Sequence, residues 1–264
     1  MRKPFIYIAS LRRTGSSLLR FLLTAPTYAI VFGEPRLHRK KVRIGNSDMS
    51  LLVPAGVTIR GLKNSVAEHE ITGFRSPTES VAYFKKHVVQ EVLKVFPQVG
   101  IKEIRHRHWQ DILQAFPNTR VVLTGRDPRD IYLSLYYKKL HIKGKPVFNK
   151  RTLITPQVVA EDLLHEFSYQ QQLFNNAECL KVCYEELCSD PQILQQIKQF
   201  TENETPDIGV VGQFKERDKQ LHGAHVTEKS VYRWKTEENQ QLAAEAQHVF
   251  DLMPEYCAFW EYTR

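Results

Sequence analysis

The residues that could do chemistry begin in a short stretch near the start of the chain, where glycine, hydroxyl side chains and arginines occur together. Arg12 and Arg13 precede Gly15. The hydroxyl side chains of this stretch are those of Thr14, Ser16 and Ser17. Backbone N–H groups and hydroxyls donate hydrogen bonds to anionic oxygens, and arginine adds a permanent positive charge. The stretch is therefore a candidate binding loop for a phosphate-like group.

The residues on either side of this loop predict a strand, a turn and a helix in that order. An apolar run of about five residues starts at Phe5, and a helical pattern after Gly15 extends to Leu23. In such a unit the loop N–H groups and the positive end of the helix converge on one point. The loop lacks the Walker A spacing and its lysine. We therefore expect an anion site without the usual Mg²⁺ and γ-phosphate machinery.

A second anion-binding group is predicted at the end of another buried strand. The apolar run 119–124 predicts a core strand, so that Arg126 follows its carboxyl end. Ser134 and Lys138 lie four residues apart on the helix that follows and therefore share a face. An arginine, a hydroxyl and an ammonium group directed at one place could hold a second phosphate.

The same corner also has a purely structural interpretation. Arg126 and Arg129 alternate with Asp127 and Asp130, so the four charges could neutralise one another at an ordinary strand-to-helix turn. This interpretation explains one corner but not two. Ligands of parallel sheets bind outside the carboxyl ends of the strands, and both predicted anion sites follow such ends.

The alternation of strand and helix patterns over 264 residues predicts a single three-layer α/β domain, in which helices flank a mostly parallel sheet. The second strand is predicted at Thr27–Val31, and the last helix at Thr236–Met253. Ser76 and Glu79 form a predicted capping box. The helix that it opens has an apolar stripe of Val81, Phe84, Val88, Val92 and Phe96. Residues from about 36 to 76 are basic and without clear periodicity, which predicts a surface or substrate-binding insertion.

Composition narrows the class of protein. Lysine and arginine number 37 against 29 acidic residues, and the net charge of +8 is compatible with anionic partners such as nucleic acid, a membrane surface or small polyanions. No apolar run approaches the roughly 18 residues of a membrane span. The four cysteines lack the paired spacing of a zinc site, which favours reduced thiols, no metal and a cytoplasmic location.

The two anion motifs together resemble those of sulfotransferases that use 3′-phosphoadenosine-5′-phosphosulfate (PAPS). The segment Arg13-Thr-Gly-Ser-Ser-Leu-Leu19 matches the family loop that cradles the 5′-phosphosulfate. The segment Arg126-Asp-Pro-Arg-Asp-Ile-Tyr-Leu-Ser134 matches the run whose arginine and serine hold the 3′-phosphate. Position 13 is an arginine, whereas many members of the family have a lysine there. In this respect the chain resembles the arginine-type branch, which includes bacterial and tyrosylprotein sulfotransferases. The resemblance implies the P-loop NTPase-like sulfotransferase fold.

The resemblance also implies a set of residues that bind PAPS or its product PAP. Tyr184 lies in a segment that resembles the family's Y-E-D-L strand end, and Ser230–Trp234 resembles the segment that covers the nucleotide. The implied cofactor-binding residues are Arg13, Thr14, Gly15, Ser16, Ser17, Leu18, Arg126, Ser134, Lys138, Tyr184, Ser230, Arg233 and Trp234. No metal is implied.

The expected reaction is an in-line transfer of the sulfuryl group to a hydroxyl of a carbohydrate, lipid or small molecule. Such chemistry depends mainly on positioning and on stabilisation of developing charge. Arg13 is the expected catalytic cation, and Glu34, which matches an acidic residue of the arginine-type branch, is the first candidate for the general base. Alternatively, Glu34 pairs with Arg36. His106 and His108 are the other candidate bases, unless they belong to a solvated helix start.

Two other functions are compatible with part of the sequence. A P-loop nucleotide kinase or NTPase shares the predicted sheet and anion loop, but it needs the Walker lysine. A non-enzymatic module that binds nucleic acid or polyanions would account for the charge, but it leaves the two ordered motifs unexplained. We therefore predict PAPS and a hydroxyl-bearing acceptor as partners, without nucleic acid and without stable membrane insertion.

Overall fold

The computed structural model describes residues 3–62, 69–148, 152–206 and 231–264. The strands are β1 (Phe5–Ser10), β2 (Ala29–Gly33), β3 (Val42–Ile44), β4 (His69–Ile71), β5 (Gln98–Glu103), β6 (Thr119–Gly125) and β7 (Cys179–Cys183). The helices are α1 (Ser16–Leu22), α2 (Asn46–Leu52), α3 (Pro77–Tyr83), α4 (Gln90–Val92), α5 (Trp109–Ala115), α6 (Pro128–Lys143), α7 (Pro156–Asn176), α8 (Tyr184–Ser189), α9 (Pro191–Thr201), α10 (Gln240–Asp251) and α11 (Pro254–Trp260). A π-helical segment (Phe84–Val89) joins α3 to α4, and short 3₁₀ turns cover Leu37–Arg39 and Arg233–Thr236.

The centre of the fold is a five-stranded sheet with the order β2-β5-β1-β6-β7. All of its pairings are parallel, with Ile6 opposite Gly100 in β5 and Phe5 opposite Thr119 in β6. Every residue of β1 is buried, as expected for a continuous apolar strand covered on both faces by helices. The predicted α/β fold class is confirmed. The turns after β1, β6 and β7 therefore lie at one edge of the sheet.

Several predicted boundaries shift by a few residues. The second strand begins at Ala29 rather than Thr27, because Thr27 has a left-handed backbone (φ 66°) inside a turn closed by the bridge between Ala25 and Ala29. The helix predicted to begin at Thr236 is α10, which begins at Gln240, where the Asn239 side chain caps it. The sequence pattern did not predict α11, which starts afresh at Pro254.

The expectation of a surface insertion at residues 36–76 is wrong for much of this region. Its apolar side chains enter the main core, among them Leu37, Val42, Ile44, Met49 and Leu52. Strands β3 and β4 pair antiparallel as a small second sheet. The buried guanidinium of Arg20 in α1 pairs with Asp48 in α2 and so links this region to the anion loop's helix. A role in substrate contact stays a prediction.

The predicted apolar stripe of the helix after Ser76 is buried as expected, from Val81 to Phe96. The Ser76 hydroxyl accepts a hydrogen bond from the Glu79 N–H at 3.1 Å, which satisfies one of the open donors of the first turn. Within the described ranges, no helix is both long and apolar enough to cross a membrane.

Candidate active site

The first anion loop joins β1 to α1 through two left-handed residues, Arg13 (φ 69°) and Gly15 (φ 77°). The hydroxyl of Thr14 is buried, donates to the Leu11 carbonyl at 2.8 Å and lies 2.6 Å from the Thr124 hydroxyl. The Thr14 side chain thus fastens the loop to β6 and is not directed at a ligand. Ser17, by contrast, is exposed.

The two predicted motifs meet in space. The Arg13 Nε donates to the Ser134 hydroxyl at 2.8 Å, although 121 positions separate the two residues in sequence. The buried Arg126 side chain donates from Nη1 to the Arg13 carbonyl at 3.2 Å. Both corners therefore form one positively charged region at the carboxyl edge of the sheet, as the sequence predicts. The neighbouring Arg12 is directed elsewhere, because it pairs with Asp162 at 2.9 Å.

Tyr184 covers this region from the first turn of α8. The Arg126 guanidinium carbon lies 4.4 Å from the centre of the Tyr184 ring, a cation–π distance. Leu18 packs against the same tyrosine. A Cβ atom at Gly15 would lie 2.2 Å from the Tyr184 Cδ2, so only glycine allows this close approach.

Replacing Gly15 with alanine is expected to lower stability and also the affinity for PAP, the ligand that the sequence predicts for this loop. The left-handed backbone costs alanine about 1 kcal/mol, and displacing Tyr184 adds about 1–3 kcal/mol. Denaturant unfolding and a PAP titration measure the two effects. Gly56→Ala is the matched control, because Gly56 has a similar φ of 72° with no heavy atom within 4 Å of the added Cβ. Equal losses in the two variants would rule out the tyrosine contact as the cause.

Lys138 adds a second cation beside Arg13. The side chain is half-buried, and burial, followed by the charge of Arg13, lowers the pKa of Lys138 to about 8. An anion bound beside both groups would raise that pKa again by offsetting the repulsion. The electrostatics of this corner are thus suited to an anionic ligand.

The interpretation that the four charges of the Arg126 corner neutralise one another is correct for some of these residues. Arg129 pairs with Asp127 at 2.7 Å, and Arg126 lies 3.5 Å from Asp130. Arg129 is enclosed in this corner, whereas Arg126 also reaches the loop of Arg13. The corner therefore combines a structural arginine with one that faces the candidate site.

The predicted nucleotide-covering segment is described only in part, and Ser230 lies outside the described residues. The backbone N–H of Trp234 donates to the Asp130 carboxylate at 3.0 Å. The guanidinium carbon of Arg129 lies 3.6 Å from the centre of the Trp234 ring. The Arg233 guanidinium lies over the Tyr137 ring at 4.4 Å. These contacts attach the segment to α6, and its role in nucleotide binding stays a prediction.

Glu34 directly follows β2 and pairs with the buried Lys102 of β5. The alternative pairing with Arg36 is not what the structure has, because the ion pair of Arg36 is with Glu70 at 2.8 Å. Burial acts to raise the pKa of Glu34, but the charge and hydrogen bond of Lys102 outweigh it and lower the pKa overall. Glu34 is thereby held as a carboxylate.

Lys102 is a residue that sequence reasoning missed. It is the penultimate residue of β5, only 5% exposed, and its ammonium group reaches the edge where Glu34 and the anion loop lie. The available signal was a lysine near the carboxyl end of a predicted strand. This signal places Lys102 at the edge of the sheet but does not identify Glu34 as its partner, because that pairing depends on β5 lying next to β2.

His106 and His108 are not part of a solvated helix start, because both are buried. The His106 Nε2 lies 2.8 Å from the Ser10 carbonyl and its Nδ1 lies 3.0 Å from the Tyr7 hydroxyl. With both ring nitrogens engaged, His106 has no lone pair left for an acceptor's proton. Burial lowers the pKa of His106 to about 4 and that of His108 to about 3. The engaged nitrogens of His106 and the burial of both rings favour Glu34 over either histidine.

Across the described parts of the chain, no group of three or more histidine, cysteine, aspartate or glutamate side chains is arranged to hold a metal ion. The four cysteines are free thiols, with Cys257 buried and the other three half-buried. The expectation that the reaction needs no metal stays a prediction.

Solved structures of sulfotransferases have the same fold. The sulfotransferase domain of the Synechococcus PCC 7002 olefin synthase is 16% identical with a TM-score of 0.61, over 100% of this chain and 97% of that chain. The sulfotransferase domain of the curacin biosynthetic pathway is 15% identical with a TM-score of 0.59, over 100% and 99%. Mouse sulfotransferase SULT7A1, complexed with PAP, is 12% identical with a TM-score of 0.50, over 100% and 90%. At such identities the likeness establishes the fold.

The sequence comparison establishes the family. No curated protein sequence matches the chain significantly. A family model described as the sulfotransferase family matches residues 4–207, which is well over half of the chain and includes both anion motifs. The predicted resemblance is thereby confirmed, and the chain belongs to the sulfotransferase family of enzymes.

Proposed function

We propose that this enzyme transfers the sulfuryl group of PAPS to a hydroxyl group of an acceptor, without a metal ion. The observation that carries the proposal is the contact between Arg13 and Ser134, which joins the 5′ and 3′ anion motifs into one site. The mouse sulfotransferase of the same fold is described in complex with PAP, which supports a nucleotide of this type. The family match supports sulfuryl transfer itself.

The residues present fit a nucleotide with anionic groups at both ends. Arg126 and Ser134 would hold the 3′-phosphate, while the loop from Arg13 to Leu18 would hold the 5′ end. The Tyr184 ring lies close to Gly15 and beside the Arg126 guanidinium, so an aromatic ring borders these cations. PAPS, when bound, supplies the sulfuryl group and an anionic leaving group.

The side chains of this site would have different roles in the reaction. Arg13 would stabilise charge on the sulfuryl and bridging oxygens, because its guanidinium is fixed by Ser134 and permanently protonated. Glu34 would accept the proton of the acceptor hydroxyl. An anion bound beside Lys102 would weaken the pair between Lys102 and Glu34 and so raise the proton affinity of Glu34.

The four free cysteines support the accompanying proposal of a cytoplasmic location.

The proposal is tested by ligand binding before any acceptor is known. PAP is expected to raise the melting temperature in the absence of Mg²⁺, whereas an NTPase would respond to ATP with Mg²⁺ and a polyanion-binding module would show no preference for a 3′-phosphate. Arg126→Ala should weaken PAP binding by roughly 10- to 100-fold, since a charge-assisted hydrogen bond is worth about 1.5–3 kcal/mol.

The control ligand is AMP, which lacks the 3′-phosphate. If Arg126 holds that phosphate, calorimetric titration will show that Arg126→Ala leaves the affinity for AMP nearly unchanged. The same variant will no longer bind PAP more tightly than AMP. Equal losses for the two nucleotides would mean that Arg126 acts on the fold of the corner instead. Absence of PAP binding by the unaltered enzyme would defeat the proposed function.

A further inference from the structure

The turn that follows β2 has an unfavourable backbone conformation at two non-glycine residues. Glu34 (φ 52°) and Arg36 (φ 59°) are both left-handed and flank Pro35. Such conformations are rare outside glycine and persist only where the surroundings hold them. Because Glu34 lies in this turn, whatever holds the turn also determines where the Glu34 carboxylate is directed.

The last two residues of β5 supply the hydrogen bonds that hold this turn. The Glu34 N–H donates to the Lys102 carbonyl at 2.8 Å, which extends the sheet by one residue. The Arg36 N–H donates to the Glu103 carboxyl oxygen Oε1 at 3.1 Å, and the Leu37 N–H lies near the same carboxyl group. Glu103 therefore replaces the backbone partners that the turn has lost by leaving the sheet.

The surroundings of Glu103 suit a structural hydrogen-bond acceptor and not a counter-ion. Its side chain is fully buried, and its second oxygen lies 4.0 Å from the His38 Nδ1. Among the described residues, neither of these two atoms has a hydrogen-bond partner. Burial, together with the negative charge of Glu34, raises the pKa of Glu103 to about 8, so the carboxyl group is mostly protonated at neutral pH.

From this arrangement we propose that Glu103 is a positioning residue for sulfuryl transfer, which fixes the turn of Glu34, Pro35 and Arg36 and thereby directs the Glu34 carboxylate at the acceptor hydroxyl. The inference rests on the proposed function, in which Glu34 is the base. Glu103 itself is fully buried and acts through the Arg36 N–H group. A neutral amide of the same shape would serve equally well as an acceptor.

Two substitutions at Glu103 separate its hydrogen bonding from its charge. Glu103→Leu removes the acceptor and is expected to lower kcat about 10- to 100-fold, because small errors in the placement of a catalytic group are costly. The KM for PAPS should stay within about twofold, since the anion motifs are untouched. Glu103→Gln keeps an oxygen for the Arg36 N–H and should retain most of the wild-type kcat. If Glu103→Leu does not fold, Glu103→Asp replaces it, because the shorter side chain withdraws the carboxyl group from the turn.

Gln98 provides the matched control at the opposite end of the same strand. Its buried side chain donates to the carbonyls of Pro4 and Thr201 at 3.0 and 2.7 Å, far along β5 from Glu34. Gln98→Leu should destabilise the protein without changing the kcat of the folded fraction. A Glu103→Leu enzyme with wild-type kcat, or a Glu103→Gln enzyme as slow as Glu103→Leu, would overturn the inference.

A double variant distinguishes failure of this inference from failure of the proposed function. If Glu103 acts through Glu34, adding Glu103→Leu to Glu34→Gln should slow the enzyme no further. A further tenfold loss would show that Glu103 acts by another route and would overturn the inference alone. Absence of PAPS turnover by the unaltered enzyme would instead refute the proposed function on which the inference depends.

Discussion

Arg13→Ala is expected to lower kcat by about 10²–10³-fold, the usual loss when one preorganised donor to a developing negative charge is removed. The guanidinium is held in place by Ser134, and Lys138 is the neighbouring cation. The affinity for PAP should change much less than kcat, because PAP lacks the sulfuryl group that Arg13 would contact. Single-turnover rates with labelled PAPS and calorimetry with PAP measure the two quantities separately.

Two variants serve as controls for Arg13. Arg13→Lys keeps the charge but loses the planar set of donors, so an intermediate rate is expected. The adjacent Arg12 forms an ion pair with Asp162, and its guanidinium carbon lies 4.7 Å from the centre of the Phe148 ring. Arg12→Ala should therefore leave kcat close to that of the wild type. Equal losses in Arg12→Ala and Arg13→Ala would indicate a general effect of positive charge.

Glu34→Gln is expected to lower kcat by about 10²–10⁴-fold, the range for loss of a general base. The amide has nearly the same shape but cannot accept the acceptor's proton, and the affinity for PAP should remain intact. Lys102 holds the pKa of Glu34 below its ordinary value, so the base is ionised through the neutral range. The kcat/KM of the wild type, which reports the free enzyme, should fall only when the pH drops through this lowered pKa.

The outcome of Glu34→Gln decides between the candidate bases. A pH profile alone does not, because burial also lowers the pKa of His106 to about 4. Unchanged turnover in Glu34→Gln would move the assignment to His106 or His108, despite the engaged nitrogens of His106. A large loss of turnover together with normal PAP binding would support Glu34.

Much of the fold could be predicted because its elements are long and their patterns are strong. The apolar run of β1 is short and bounded by a glycine-containing turn, which favours a buried strand, and the stripe from Val81 to Phe96 has the period of a helix. The meeting of Arg13 with Ser134 could also be expected, because parallel strands present their carboxyl ends at one edge. The burial of residues 36–62 could not be predicted, because β3 and α2 are too short to show a period.

The amino-acid sequence by itself determined the alternating strands and helices of the central α/β core, the two anion motifs and the family, because these depend on local patterns of residue type. Only the tertiary structure decided which groups are partners and which are buried. Glu34 pairs with Lys102 and not Arg36, and His106 lies inside the core. Such outcomes depend on strand register and on packing between segments far apart in the chain. No local pattern encodes them, since burial and pairing are properties of the assembled sheet.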